Sequence, residues 1–317
     1  MRSVSGLTTP SAAPTANLPG VRGPQGRLRI WMAAARPRTL SASAVPVAVG
    51  SAVAALQGSF RILPALAALV CSLLIQVGTN LVNDYADHQR GADTPDRMGP
   101  PRASAQGWLK PATVLRGAWL CFGLATVLGA YLVAVGGWPI LVVGLLSLGA
   151  GWAYTAGPYP LAYHGLGDLF VFCFFGLVSV LGTVWVQTQS LSPLAWAVAV
   201  PVGEVATALL VVNNLRDIPT DARVGKRTLA VRLGARGTRA QYLLLMAVVF
   251  AAPPLLVRLF GAPVTVLWAL LAAPLAVEPV RRVLSREGTA LNVALAGTAR
   301  LQWAYGALMS VGLLTGR

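Results

Sequence analysis

Residues 62–87 read ILPALAALVCSLLIQVGTNLVNDYAD. Eighteen residues, Ile62 to Thr79, pass without a charge, and then Asn80, Asn83, Asp84 and Asp87 arrive together. An uncharged run of more than about 17 residues is long enough to cross a bilayer as a helix. Eight further apolar runs lie on either side, at 41–58, 112–136, 138–156, 166–188, 191–213, 240–258, 261–279 and 294–314. Runs of this length with few turn signals predict helices rather than barrel strands, which would alternate over about ten residues. The pair between 240 and 279 is interrupted by Pro253, Pro254, Arg258, Gly261 and Pro263. Composition points the same way: 56% of the 317 residues are hydrophobic and 11% are charged, against about 25% charged in soluble domains. The expected fold is all-α, a polytopic membrane protein of nine transmembrane helices over residues 28–317. Residues 1–27, rich in Ser, Ala, Pro and Gly and without the apolar core of a signal peptide, are expected to be a disordered cytoplasmic tail.

A net charge of +15 suits either nucleic acid or anionic lipid, and its distribution decides for the membrane. With the N-terminus inside, 22 of the 25 Lys and Arg fall on cytoplasmic segments, leaving Arg61, Arg258 and Arg317 outside. The positive-inside rule therefore predicts a cell-membrane protein with a cytoplasmic N-terminus, in contact with membrane lipid and not with nucleic acid. Cys71, Cys121 and Cys173 sit in three different apolar runs without metal-like spacing, as small packing residues do.

Six of the ten carboxylates lie in two segments on the predicted cytoplasmic side. Asp84, Asp87, Asp93 and Asp96 follow the second apolar run, and Asp217 and Asp221 follow the sixth, within NNLRDIPTDARVGKRTL at 213–229. NLVND at 80–84 and NNLRD at 213–217 share a pattern four spans apart, as duplication of a four-helix unit would produce. Asn80, Asn83, Asp84 and Asp87 fall at i, i+3, i+4 and i+7, and Asn213, Asp217 and Asp221 at i, i+4 and i+8. On helices each set shares one face. Pro219 interrupts the second set. A helix C-terminus already carries about half a negative charge, so two facing acid columns need solvent or a cation between them. Carboxylate and amide oxygens suit Mg²⁺, which commonly takes one or two carboxylates plus phosphate oxygens. The chain has two histidines, His88 and His164, and no HxxxH, which disfavours zinc or iron. A solvated helix end is the plain alternative for one such segment. Two matched segments, each followed by Lys or Arg, favour a site that binds a diphosphate, with Arg97, Arg102, Lys226 and Arg227 able to clamp its outer oxygens.

These residues resemble the UbiA superfamily of intramembrane aromatic prenyltransferases. Asn83-Asp84-x-x-Asp87 is similar to its first motif and Asp217-x-x-x-Asp221 to its second. RPRTLSASAVPVAVG (36–50), NDYADHQRGADTPDRMGPPR (83–102), YTAGPYPLAYHGLGD (154–168) and NNLRDIPTDARVGKRTLAVRLG (213–234) look most like the branch that prenylates 1,4-dihydroxy-2-naphthoate. The resemblance implies a UbiA-like nine-helix bundle with a cytoplasmic-side active site, in a bacterial cell. It implies a polyprenyl diphosphate donor, a 1,4-dihydroxy-2-naphthoate acceptor and Mg²⁺ held by Asp84, Asp87, Asp217 and Asp221, with loss of diphosphate and CO₂ to give a demethylmenaquinone. The same four aspartates and Tyr154 would be the catalytic residues, with Asn80, Asn83, Arg97, Asn214, Lys226, Arg227 and Arg36 binding substrate. The branch pattern usually follows GPxR with a short MQ-type sequence, and the run PPRASAQGWL, with Pro101 where variation is common, departs from it, which favours Arg97 over Arg102 at the diphosphate. Trp152, Tyr154, Tyr159 and Tyr163 cluster on one loop, where ring faces could stabilise an allylic cation by about 0.5–2 kcal/mol each. Asp168 is expected to cap the helix that follows. Two alternatives stand beside this reading: a UbiA-type enzyme acting on 4-hydroxybenzoate or homogentisate, and a cation-coupled transporter, whose sites usually lie nearer the bilayer midplane.

Overall fold

In a bilayer every backbone polar group must be satisfied within the segment, and the long uncharged runs answer with helices. The computed structural model describes residues 26–93 and 97–316, and among them the regular structure is all helical. The expected tail, apart from Gly26 and Arg27, lies outside the described residues, as does Asp96. In chain order the helices are α1 (Arg27–Ala35), α2 (Ser41–Leu56), α3 (Ile62–Gln89), α4 (Pro111–Gly136) and α5 (Trp138–Ala153). They continue as α6 (Gly167–Thr188), α7 (Pro193–Arg223), α8 (Leu229–Phe260), α9 (Val264–Ser285) and α10 (Leu291–Thr315).

Six of these, α3, α4, α6, α7, α8 and α9, are each long and apolar enough to cross a membrane. Counting the bent pair α1–α2 as one span makes seven. The bend is 55°, between Arg27–Thr39 and Ser41–Leu56, and within the first arm Arg36 sits in the left-handed region at φ 54. Pro37 follows, and a residue before proline is pushed out of the α region. Outward positions such as Leu120, Val127, Leu145, Leu244 and Leu271 are more than 60% exposed, the surface of a multi-pass membrane protein. The main core gathers α2, α6, α7, α8 and α10, with Val49, Val184, Val205, Tyr242 and Tyr305 fully buried in it.

Two helices outrun their hydrophobic stretches. α3 continues to Gln89, and α7 continues through Pro219 to Arg223, so both acid columns ride on helical turns. In the interrupted region the prolines do not end the helix: α8 starts at Leu229, kinks at Gly234 (φ 68), carries Pro253 and Pro254 inside it, and stops at Gly261, which takes φ 65. α9 begins as a 3₁₀ stretch, Val264–Ala272. The expectation for Asp168 does not hold. Leu166 occupies the cap position, and Asp168 lies in the first turn of α6, where it accepts a hydrogen bond from Gln241 Nε2 at 3.2 Å.

Candidate active site

The last turns of α3 are held from three directions. Asn80 Nδ2 donates to Ala35 O at 3.0 Å and Thr39 Oγ1 at 3.1 Å, tying α3 to the α1–α2 bend. Asn83 is gripped by the Thr155 hydroxyl at its side chain and by Arg102 at its carbonyl. Asp84, 1% exposed, accepts from the backbone N–H groups of Ala103 at 2.9 Å and Ser104 at 3.1 Å. Asp87 pairs with Arg102 Nη2 at 2.7 Å and accepts from Tyr163 Oη at 2.9 Å. Arg102 also reaches Asp93 at 3.1 Å, and Arg97 meets the same carboxylate at 2.9 Å.

The end of α7 is built differently. Arg216, 1% exposed, forks onto Asp217, with Nε to Oδ1 at 2.8 Å and Nη2 to Oδ2 at 2.6 Å. Among the described residues Asp221 pairs with Lys226 Nζ at 3.7 Å, and its Oδ2 is buried without a hydrogen-bond partner. Tyr163 joins the two ends: Arg90 and Lys226 each lie over its ring, at 5.3 and 5.5 Å from the centroid, and its carbonyl accepts from Arg227 N at 3.1 Å.

Between these elements lies a cavity of about 580 Å³. Its polar end carries Arg36, Asn80, Asn83, Asp87, Arg102 and Lys226, with Tyr154, Asn213 and Asn214 beside them. Its far end is apolar, lined by Leu132, Val133, Ile140 and Val186. On α6 alone the lining runs from Gly167 to Val186, about 29 Å at 1.5 Å per residue, close to the hydrocarbon thickness of a bilayer. Arg36 Nη2 is buried at this site with no hydrogen-bond partner.

Of the residues singled out from sequence, Asn80, Asn83, Asp87, Tyr154, Asn214, Lys226 and Arg36 line the cavity. Asp84, Asp217, Asp221, Arg97 and Arg227 are not among its lining residues; Arg227 is exposed. Arg102, ranked below Arg97 from sequence, is the one inside. Burial alone would lower the Arg102 pKa, but Asp87, Asp93 and Asp84 outweigh it and hold this guanidinium above its ordinary range. Burial and then the neighbouring Asp87 push the Tyr163 hydroxyl up, and burial with Asp168, Asp221 and Asp87 does the same to Tyr154. Both therefore stay protonated at neutral pH. Among the described residues no three His, Cys, Asp or Glu side chains form a ready-made metal cluster. The donors present are carboxylate and amide oxygens, and among the described residues the buried Oδ2 atoms of Asp221 and Asp93 near this end, like that of Asp168, have no hydrogen-bond partner. This set fits a hard cation that takes few protein ligands and fills its shell from phosphate.

A membrane bundle with an oxygen-rich, cation-rimmed end and a long apolar bore defines an intramembrane enzyme acting on a lipid-tailed anion. The chain belongs to the UbiA prenyltransferase family, whose model matches residues 43–304. A relative from Mycobacterium tuberculosis (strain ATCC 25618 / H37Rv), named 1,4-dihydroxy-2-naphthoate octaprenyltransferase, is 40% identical over 277 residues, covering 86% of this chain and 94% of its own. The fold is similar to a UbiA homolog from Aeropyrum pernix K1 in its apo form, at TM-score 0.67 and 16% identity, over 85% of this chain and 97% of that one. It is also similar to a UbiA homolog from Archaeoglobus fulgidus bound to DMAPP and Mg²⁺, at TM-score 0.53 and 14% identity, over 89% and 99%.

Proposed function

We propose that this protein transfers a polyprenyl group from polyprenyl diphosphate to 1,4-dihydroxy-2-naphthoate, releasing diphosphate and CO₂ and giving a demethylmenaquinol, the dihydroxy form of a demethylmenaquinone. The observation that carries the reading is the cavity, which joins Asp87, Arg102 and Lys226 at one end to an apolar bore of membrane length. The acceptor is supported by the name of the 40%-identical relative, of which this chain covers 94%. Asp84, Asp87, Asp217 and Asp221 would hold Mg²⁺, which neutralises charge on the departing diphosphate. Arg36, Arg102 and Lys226 bind and orient the diphosphate, and as the allylic C–O bond breaks its oxygen keeps the electron pair against these cations. Asn80, Asn83 and Asn214 bind at the same end. The apolar bore takes the tail and keeps water from the allylic cation. Tyr154, held protonated, presents its ring at the polar end. A ring carbon of the acceptor then closes the new C–C bond, the bond to the carboxylate breaks, and its electron pair stays with the ring as CO₂ leaves. We place nine crossings in the bilayer, adding α5 and α10 to the seven above, with the polar end on the cytoplasmic side where the positive-inside rule puts it.

Purified protein with Mg²⁺, a polyprenyl diphosphate and 1,4-dihydroxy-2-naphthoate tests this. Mass spectrometry should find a prenylated product lacking the carboxylate, and little product from 4-hydroxybenzoate or homogentisate. A product that keeps its carboxylate, or a preference for a one-ring acceptor, overturns the acceptor. Ion flux without diphosphate release would return the transporter reading.

A further inference from the structure

The buried guanidinium of Arg216 has a partner from a distant part of the chain. Its Nη1 donates to Asn292 Oδ1 at 2.7 Å, and Asn292 lies in the first turn of α10, 76 residues away. The same Asn292 donates through Nδ2 to Met98 O at 3.0 Å, 194 residues away. Met98 belongs to the loop that carries Arg97 and Arg102, and Gly99 beside it packs on the guanidinium: a Cβ there would lie 2.8 Å from Arg216 Nη2 and 3.2 Å from Arg97 Nη2. Arg216 meanwhile holds both oxygens of Asp217 and, at 2.8 Å, the Oδ1 of the cavity-lining Asn213. One amide on the last helix thus touches both acid-bearing segments.

We propose that Asn292 is a positioning residue: by fixing Arg216 and the Met98 carbonyl together, it sets the plane of the Asp217 carboxylate and its register with the loop after the first motif. The chemistry follows from donor counting. A guanidinium has five N–H donors in a rigid fork, and two parallel bonds to a carboxylate define the carboxylate plane. That plane is only as fixed as the guanidinium, and Arg216 reaches Asn213 and Asp217 on its own helix, so its outer edge needs an anchor from elsewhere. Asn292 supplies it as a neutral acceptor. A carboxylate at this position would instead compete with Asp217 for the same fork. Asp217 oxygens so held keep their remaining lone pairs facing a cation in one orientation. The proposal rests on the reading that Asp217 serves a divalent cation at the diphosphate.

The test uses the purified full chain with Mn²⁺ and a prenyl thiodiphosphate that resists ionisation, and reads Mn²⁺ binding by electron paramagnetic resonance. Asn292→Ala should raise the half-saturating Mn²⁺ concentration about three- to tenfold, the range of one ordinary hydrogen bond, because the lost bond acts on Asp217 only through Arg216. Gly99→Ala, which presses on the same guanidinium from the other side, should do likewise. In turnover assays both should lower kcat and leave the KM for the naphthoate acceptor unchanged. Thr298→Ala on the same helix, which loses a bond to Tyr242, should lower Tm without moving the Mn²⁺ curve. Unchanged Mn²⁺ binding in Asn292→Ala while Asp217→Asn weakens it overturns the positioning role. If Asn292→Ala does not fold, Gly99→Ala decides in the same way. Unchanged binding in Asp217→Asn sinks the underlying reading of Asp217 instead, and the two failures are thereby told apart.

Discussion

The ends of α3 and α7 each carry two acids about one helical turn apart, Asp84 and Asp87 at three residues and Asp217 and Asp221 at four, and use them differently. At α3 the acids are fasteners: Asp84 is spent on two backbone N–H groups of the loop at 103–104, and Asp87 is paired with Arg102 and bonded by Tyr163. At α7 the commitments are uneven: both oxygens of Asp217 are held in the fork of its neighbour Arg216, whereas Asp221 Oδ2 has no hydrogen-bond partner among the described residues. A sequence repeat therefore does not imply a repeat of roles. The first segment builds the walls of the polar end, with Asp87 alone of its two motif aspartates reaching the cavity. The second keeps carboxylate capacity in reserve.

The comparison can be broken by four measurements. The largest effect is expected for Asp87→Asn and Asp221→Asn, which should reach the membrane at normal levels yet lose turnover by about 10²–10³-fold, as removal of a charge-stabilising group does. Chelation of divalent cations should do at least as much to the unmodified protein. Full activity under chelation would remove the metal from the site. Asp84→Asn should lose turnover as well and also lose stability, because its side-chain amide cannot accept both N–H groups as a carboxylate does. Its stability should fall by about 1.5–3 kcal/mol, read as a lower Tm in detergent, while Asp221→Asn keeps or raises Tm. Equal Tm losses would erase the distinction between the two ends. Lys226→Ala should raise the KM for the prenyl donor about tenfold, as loss of one charged contact of about 1.4 kcal/mol does, and leave that for the acceptor nearly unchanged. An equal effect on the acceptor would move Lys226 off the diphosphate. The smallest effect belongs to Tyr163→Phe, which deletes one hydrogen bond to Asp87 and keeps the ring under Arg90 and Lys226. A two- to tenfold loss of kcat/KM is expected, about 0.5–1.5 kcal/mol.

Much of this was legible because helical periodicity is a local code. Asn80, Asn83 and Asp87 could be placed on one face from spacing alone, and they meet in the cavity. Contacts over long separations left no such mark. Tyr163 finds Asp87 across 76 residues and Asn292 finds Met98 across 194. Arg102 ranks below Arg97 in the sequence because the run PPRASAQGWL departs from the family-like pattern, yet its place is set by the residues after it, whose N–H groups Asp84 holds. Helix ends were misjudged for a related reason: hydropathy marks where the bilayer stops, whereas α3 and α8 continue as long as backbone hydrogen bonds can form. The fate of Pro219, inside α7 rather than at its end, shows the same limit.

One helix stands apart in its surroundings. Within its apolar window α7 is 72% buried against the rest of the protein, while α3 is 17% buried. Its neighbours include α2 and α6, made before it, and α8 and α10, made after it. A chain emerging from the ribosome in order therefore inserts its central helix when half of that helix's packing partners do not yet exist. Arg216, Asp217 and Glu204 travel on this same helix. Until α10 is synthesised these charges have only lipid, water and the earlier helices for company, and the bundle's assembly is bound to wait for its final segment.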